Sequence, residues 1–384
     1  ELISVEIDES ILNEKDMVQD LVVAASNTNA LTAGSAAKKL LITTCTIAGS
    51  ANGGAGHGMV INPQATGNIL ADIAVIHTQI QDFRSTGILV TNAKGIKVFN
   101  CQISRPNRTT VDDTYGIRLV NSNSEDSILA NRIYNCYAAV SPASKFGRFY
   151  GINVDNSLGN IIVANNLIYE NNNSGLWYGI YMGCSPSTKI VHNTISADNS
   201  SVTFGVVYGL YHDKATCNTS TGSEFRNNIV SITRGGAELR YGVYQNSGAI
   251  TIDNNNVFVT GAKANYGWVN GDYATLKDWQ TASGAGSPFG QNSTQVNPDF
   301  INTSSGNLFP RAVNIDDIGY AAGLLVDVNN SIRSTTLPDP GAYEFTINAN
   351  VSKIANSSNI ACVGSNDTVK VLVKNNSPFD IANF

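Results

Sequence analysis

The feature that most constrains this chain is a repeated phrase. A polar residue, usually Asn, stands two places before an apolar one at Cys45 (before Ile47), Thr78 (Ile80), Cys101 (Ile103), Asn131 (Ile133), Asn166 (Ile168), Asn193 (Ile195), Asn227 (Ile229) and Asn255 (Val257). The steps are 33, 23, 30, 35, 27, 34 and 28 residues. A second phrase interleaves with the first: Gly87-Ile88, Tyr115-Gly116-Ile117, Tyr150-Gly151-Ile152, Tyr178-Gly179-Ile180, Tyr208-Gly209-Leu210 and Tyr241-Gly242-Val243. Two phrases with one period describe one coil per repeat. Between them apolar residues alternate, as in Ile117/Leu119 and Ile152/Val154, in runs ended quickly by turn residues. That is the pattern of short strands.

A coil of about 30 residues with two or three short strands cannot bury its own apolar face, so coils must stack, with equivalent positions about 4.8 Å apart. The expected fold class is all-β: a right-handed parallel β-helix, a solenoid of about 8 or more coils. The Asn series has a physical reason, because the bend between stacked strands needs αL-tolerant residues and inward amides can hydrogen-bond each other along the stack. Asn131, Asn166, Asn193 and Asn227 are therefore expected to pile vertically.

Composition agrees with strands and turns. The 384 residues include 47 Asn and 34 Gly but only 3 Met, which disfavours a helical fold. The formal net charge of −6 lacks the basic footprint of a nucleic-acid binder. No apolar run approaches the length of a membrane-spanning helix, so no membrane insertion is expected. Six Cys and four His show neither CxxC nor zinc-ligand spacing, so no metal and no cofactor are expected. The first residue, Glu1, suggests a mature or excised piece.

Residues 39–260 resemble the repeat region of the pectate-lyase-like β-helix superfamily. The stretches Tyr266-Gly267-Trp268-Val269-Asn270, Lys277-Asp278-Trp279-Gln280, Val296-Asn297-Pro298-Asp299-Phe300 and the run LPDPGAYEF at 337–345 resemble the closing segment of bacterial secreted β-helix proteins. Where that family carries Ser-Pro-Ala-Ile-Asp, this chain reads Ala312-Val313-Asn314-Ile315-Asp316, without the Pro. The resemblance implies one β-helix domain over 1–345, repeats at about 39–260 and a closing segment at about 261–345 with a short helix at 275–281. Residues 346–384 resemble the start of an immunoglobulin-like module, a β-sandwich fragment of a larger chain. Secretion or display at the cell surface follows as an expectation, with further domains of the same parent chain as neighbours. Cys184 and Cys217 either pair or remain two buried thiols.

Coiled folds of this kind carry both sugar-cleaving enzymes and inert stalks, so function must be read from a site. Gly56-His57-Gly58 precedes Asp112-Asp113, the reverse of the polygalacturonase order, and Arg105-Pro106-Asn107-Arg108 has the wrong spacing for a pectate lyase. If Ile117, Ile152, Ile180, Leu210 and Val243 point inward, the next residues point out: Arg118, Asn153, Tyr181, Tyr211 and Tyr244. Such a stripe suits a polysaccharide or cell-surface glycan, and it also suits a ladder that merely stabilises the sheet. Two residues further on, Asp155 and Asp213 stand two coils apart, about 10 Å, near the upper limit for an inverting glycosidase pair. Simple alternation places Tyr115, Tyr150, Tyr178, Tyr208 and Tyr241 with the core, and His212 likewise. Trp177, in the loop before its Gly, is expected to wall the groove. The expected function is a structural or adhesive β-helix module contacting glycan, with a polysaccharide lyase or glycoside hydrolase using Asp155 and Asp213 as the alternative.

Overall fold

The structure, a computed structural model, describes residues 21–22, 29–33, 38–52, 56–62, 70–122, 125–140, 146–202, 204–213, 221–246, 248–345, 349–355 and 370–375. Three sheets of parallel strands lie side by side, and the chain visits each in turn. One coil runs Phe149–Asp155, Ile162–Ala164 and Leu167–Tyr169, and the next runs Trp177–Met182, Lys189–Val191 and Thr194–Ala197. Equivalent residues pair in register, for example Ile152 with Ile180 and Ile168 with Ile195. The third sheet has eight strands, one per coil, so the parallel solenoid expected from the repeats is present. Its first coil starts at Asn29–Ala33, upstream of residue 39, where that strand also pairs antiparallel with Leu21–Val22.

Each coil contributes one branched residue per sheet to a continuous core. Ile117, Ile152, Ile180, Leu210 and Val243 of the first sheet are fully buried, as are Ile133, Ile168, Ile195, Val230 and Val257 of the third. Burial of each such side chain is worth about 1.5–3 kcal/mol, and no single coil could collect it alone.

The bend between the second and third sheets divides two tasks between adjacent residues. The first residue adopts the left-handed conformation: Ala130, Asn165, His192, Asn227 and Asn254 have φ between 54° and 57°. The second points inward and builds the amide column. Asn131 Nδ2 donates to Asn166 Oδ1 at 3.0 Å, Asn166 to Asn193 at 2.9 Å, Asn193 to Asn228 at 3.0 Å, and Asn228 to Asn255 at 3.0 Å. Each Oδ1 also accepts the backbone N–H one coil below, and each Nδ2 also donates to a second-sheet carbonyl, as Asn193 does to Val163. The column therefore belongs to Asn228 and not to Asn227, which occupies the left-handed position beside it. Register decides this, because Val230 pairs with Ile195 and takes the place that sequence reading gave to Ile229.

The tyrosines before each glycine do not lie with the core, where simple alternation places them. The burial along Thr114–Val120 alternates except at Gly116 and Ile117, which are both buried. A Cβ on Gly116 would lie 2.6 Å from Ile133 Cγ2 and 2.6 Å from the Gly151 carbonyl, so this position also faces inward and has no room for a side chain. Two consecutive inward residues reverse the alternation. Tyr115, Tyr150, Tyr178, Tyr208 and Tyr241 consequently stand on the outer face with Arg118, Tyr181, Tyr211 and Tyr244.

The closing segment has two parts. A short helix, Leu276–Gln280, begins with a capping box between Thr275 and Asp278, and its fully buried Trp279 covers Gly267 at the end of the first sheet. Residues 296–345 then run back and forth along the outside of coils four to eight. The side chains of the left-handed corner residues hold this stretch: Asn254 Nδ2 donates to Ile318 O, Asn227 Nδ2 to Tyr320 O, and Asn165 Nδ2 to Val326 O, while His192 Nδ1 lies 3.0 Å from Asp339 O. Leu167 and Tyr169 of the third sheet pack against its Leu308, Ala342 and Tyr343. The segment covers a flank as well as an end. Beyond it, Ala349–Ala355 and Lys370–Asn375 form an antiparallel pair. The remainder of the expected sandwich fragment lies outside the described residues.

Candidate functional site

The kink at each glycine sets two rows of rings on the outer face of the first sheet. In one row Tyr115, Tyr150, Tyr178, Tyr208 and Tyr241 stack with centroid spacings of 4.5, 4.6, 4.9 and 5.6 Å. In the other, Tyr181, Tyr211, Tyr244 and Trp268 stack at 5.1, 4.9 and 4.5 Å. The rows meet edge to face, as in Tyr178 against Tyr211 at 5.1 Å and 84°. Stacking and edge contacts each add about 0.5–1.5 kcal/mol beyond area burial. The Arg118 guanidinium covers the exposed end of the first row, 4.7 Å from the Tyr115 centroid.

This packing consumes the ring faces and leaves edges and hydroxyls outward. The Tyr181 hydroxyl donates to Asp213 Oδ2 at 3.1 Å, Asn246 Nδ2 donates to Asp213 Oδ1 at 3.2 Å, and the Tyr241 hydroxyl donates to Asp272 at 2.9 Å. Burial, then the Asp213 and Asp155 carboxylates, push the Tyr181 phenol upward, and burial, then the neighbouring Tyr115, pushes Tyr150 up to about 12. The phenols are donors at neutral pH. Asp155 does not leave an open gap toward Asp213, because its carboxylate lies over Gly183, where a Cβ would collide with it. Asn153 is buried in register between Arg118 and Tyr181.

Trp177 is not a groove residue. It opens its strand, is fully buried, donates Nε1–H to Asn171 O at 3.0 Å and packs on Phe149 at 5.4 Å. It precedes the kink by two residues, so the same reversal that turns Tyr178 out turns Trp177 in. The loop walls are instead held by ion pairs, Arg84 with Asp112 and Arg148 with Asp113, and by stacked Phe146 and Phe204, 53% and 39% exposed. Sequence reading missed this pair and Trp268; the latter was recoverable by extending the stripe one coil beyond Tyr244.

His212 is inward and fully buried, as the alternation implied. Burial lowers its pKa to about 4, with Asp213 opposing. An unfolded histidine titrates near 6.5, so between about pH 6.5 and 4 the unfolded chain binds a proton that the folded chain refuses. The contribution of His212 is complete above pH 6.5 and declines as pH falls toward 4, by about 3 kcal/mol. Denaturant titrations of wild type and His212→Gln at a series of pH values should diverge over that window, with a flatter profile for the variant; parallel profiles would contradict a neutral buried imidazole.

Cys184 is disulfide-bonded, and Cys217 lies outside the described residues. Among the described residues one trio has metal-ligand proximity, Asp316, Asp317 and Asp339, and it lies in the closing segment, away from Asp155 and Asp213. The Asp339 oxygens already accept the Asp317 and Phe345 N–H groups. No helix among the described residues is long and apolar enough to cross a membrane. No protein-family model matches the chain, and no curated protein matches it significantly.

Proposed function

We propose that this chain is a structural and adhesive β-helix module of a large secreted or cell-surface protein, and that its tyrosine ridge contacts a polysaccharide. The observation that carries the reading is the double row of rings, which repeats at the coil spacing along one outer face, with the Asp213 and Asp272 carboxylates accepting from the Tyr181 and Tyr241 hydroxyls. A linear chain of hydroxylated units lying along that axis meets donors and acceptors at regular intervals. Because the ring faces are spent on one another, recognition runs through hydroxyls and ring edges. The Cys184 disulfide suits an oxidising compartment. The winding is taken as right-handed, the hand of about 98% of parallel crossovers. The antiparallel pair after Phe345 supports reading 346–384 as the opening of an immunoglobulin-like module.

A glycan array probed with wild type and the double variant Tyr181→Phe/Tyr211→Phe tests the reading. The substitutions keep the stack and delete two hydroxyls, so glycan signal should fall several-fold with little change in thermal midpoint. Equal signals would discard the ridge. The second reading, a lyase or hydrolase using Asp155 and Asp213, draws on the proximity of both carboxylates to Tyr181. Release of new reducing ends or unsaturated products from an array-positive polysaccharide would favour it.

A further inference from the structure

A second polar and aromatic concavity lies on the opposite flank, where the closing segment crosses the fourth coil. Its floor is the outer face of Arg132–Tyr134, and its walls come from residues near 301–309, 329 and 343. The concavity is open to solvent along one side and offers about 500 Å³ of space, enough for a single small unit. Ile301, Phe309 and the buried Tyr343 form an apolar side, Asn307 and Asn329 an amide side, and Arg132 is the only charged side chain among the described lining residues. Next to Arg132 in the strand, Tyr134 stacks on Tyr169 at 5.2 Å, and the Tyr169 ring lies under Gly306, where a Cβ would collide with it. The glycine brings the 303–306 turn down onto the sheet and fixes the cleft wall.

From this geometry we infer that the cleft binds an acidic sugar unit, its carboxylate on the Arg132 guanidinium. Each side of such a ligand has a counterpart: a carboxylate suits the fork of a guanidinium, a C–H face suits Phe309 and Tyr343, and ring hydroxyls suit the two amides. A neutral sugar would leave the guanidinium without its anion, and acetate would leave the aromatic wall unused. The site is separate from the tyrosine ridge and does not depend on the reading of that ridge.

Ligand-observed saturation-transfer NMR on the full chain tests this with galacturonate, galactose and acetate. Galacturonate should bind saturably, with galactose and acetate each at least about tenfold weaker, since a charged hydrogen bond contributes about that much. Arg132→Gln should weaken galacturonate about tenfold or more, while Tyr181→Phe/Tyr211→Phe should leave it unchanged. Should Arg132→Gln fail to fold, Asn329→Ala at the rim, with an expected loss of about threefold, and the wild-type preference for galacturonate over galactose still decide the matter. Absence of saturable galacturonate binding, equal binding of galactose, or equal binding by wild type and the folded Arg132 variant would overturn the proposal.

Discussion

Asn193→Ala is expected to be among the most damaging single substitutions in the protein, at about 4 kcal/mol or more. Asn193 Oδ1 accepts from both the backbone N–H and the side-chain amide of Asn166, and its Nδ2 donates to Asn228 Oδ1 and Val163 O. All of these groups lie in the interior, where water cannot replace the lost partner. Alanine would take the acceptor from two Asn166 donors, at about 1–3 kcal/mol each, would remove the amide from the Val163 and Val191 carbonyls, and would add a cavity. Equilibrium denaturation of wild type and variant reads the difference directly. A loss below about 1 kcal/mol would mean that the amide column contributes little to holding coils together.

The second large effect is expected at the flank. Arg333 is buried and donates to Glu344 Oε2 at 3.0 Å, to Asn165 Oδ1 at 2.8 Å and to the Gly341 carbonyl at 2.9 Å. Glu344 in turn accepts the Ser334 and Asp339 N–H groups, and Asp327 accepts those of Asn329, Ser331 and Glu344. Arg333→Met removes the countercharge of a largely buried carboxylate and should cost about 3–5 kcal/mol. Limited proteolysis should show early cleavage within 296–345 while the coils persist. Removing both charges in Arg333→Met/Glu344→Gln should recover part of the loss, since the stranded carboxylate is then gone. If the double variant is no more stable than the single one, the pair is not the fastening.

The stack itself was legible because two chemical demands recur once per coil. Ile133, Ile168 and Ile195 were placed correctly, as were the Asn131, Asn166 and Asn193 amides. The doublets Asn227-Asn228 and Ile229-Val230 offer the same residue types one position apart, so only pairing with the neighbouring strand selects Asn228. Counting by twos fails at Gly116, Gly151, Gly179, Gly209 and Gly242, where an inward position without a side chain leaves no mark in the sequence. That one omission misplaced the five tyrosines; Trp177 was missed because it was read as loop, whereas it opens the strand Trp177–Met182.

The flank was written more faintly. Along one outward row of the third sheet, Gln79, Gln102 and Arg132 give way to Leu167, Thr194 and Ile229, polar where water reaches and largely apolar where the closing segment lies. That change hints at a cover, but the covering residues are as far as 168 positions away in sequence, as in Asn165 with Arg333. Local pattern cannot supply such a partner. The Arg132 cleft was invisible for the same reason.

In most repeat proteins each unit touches only the next, so stability behaves as a nearest-neighbour sum and the array can open from either end. Here one strand of chain is bonded to Asn165, His192, Asn227 and Asn254 together. Loosening any of those four coils strains the fastenings on the rest, which joins them into a single cooperative block. The coils ahead of Arg132 lie beyond the span of those bonds and are tied instead by Arg108, which donates to the Ser50 and Asp82 carbonyls, so the two groups of coils are joined by separate fastenings.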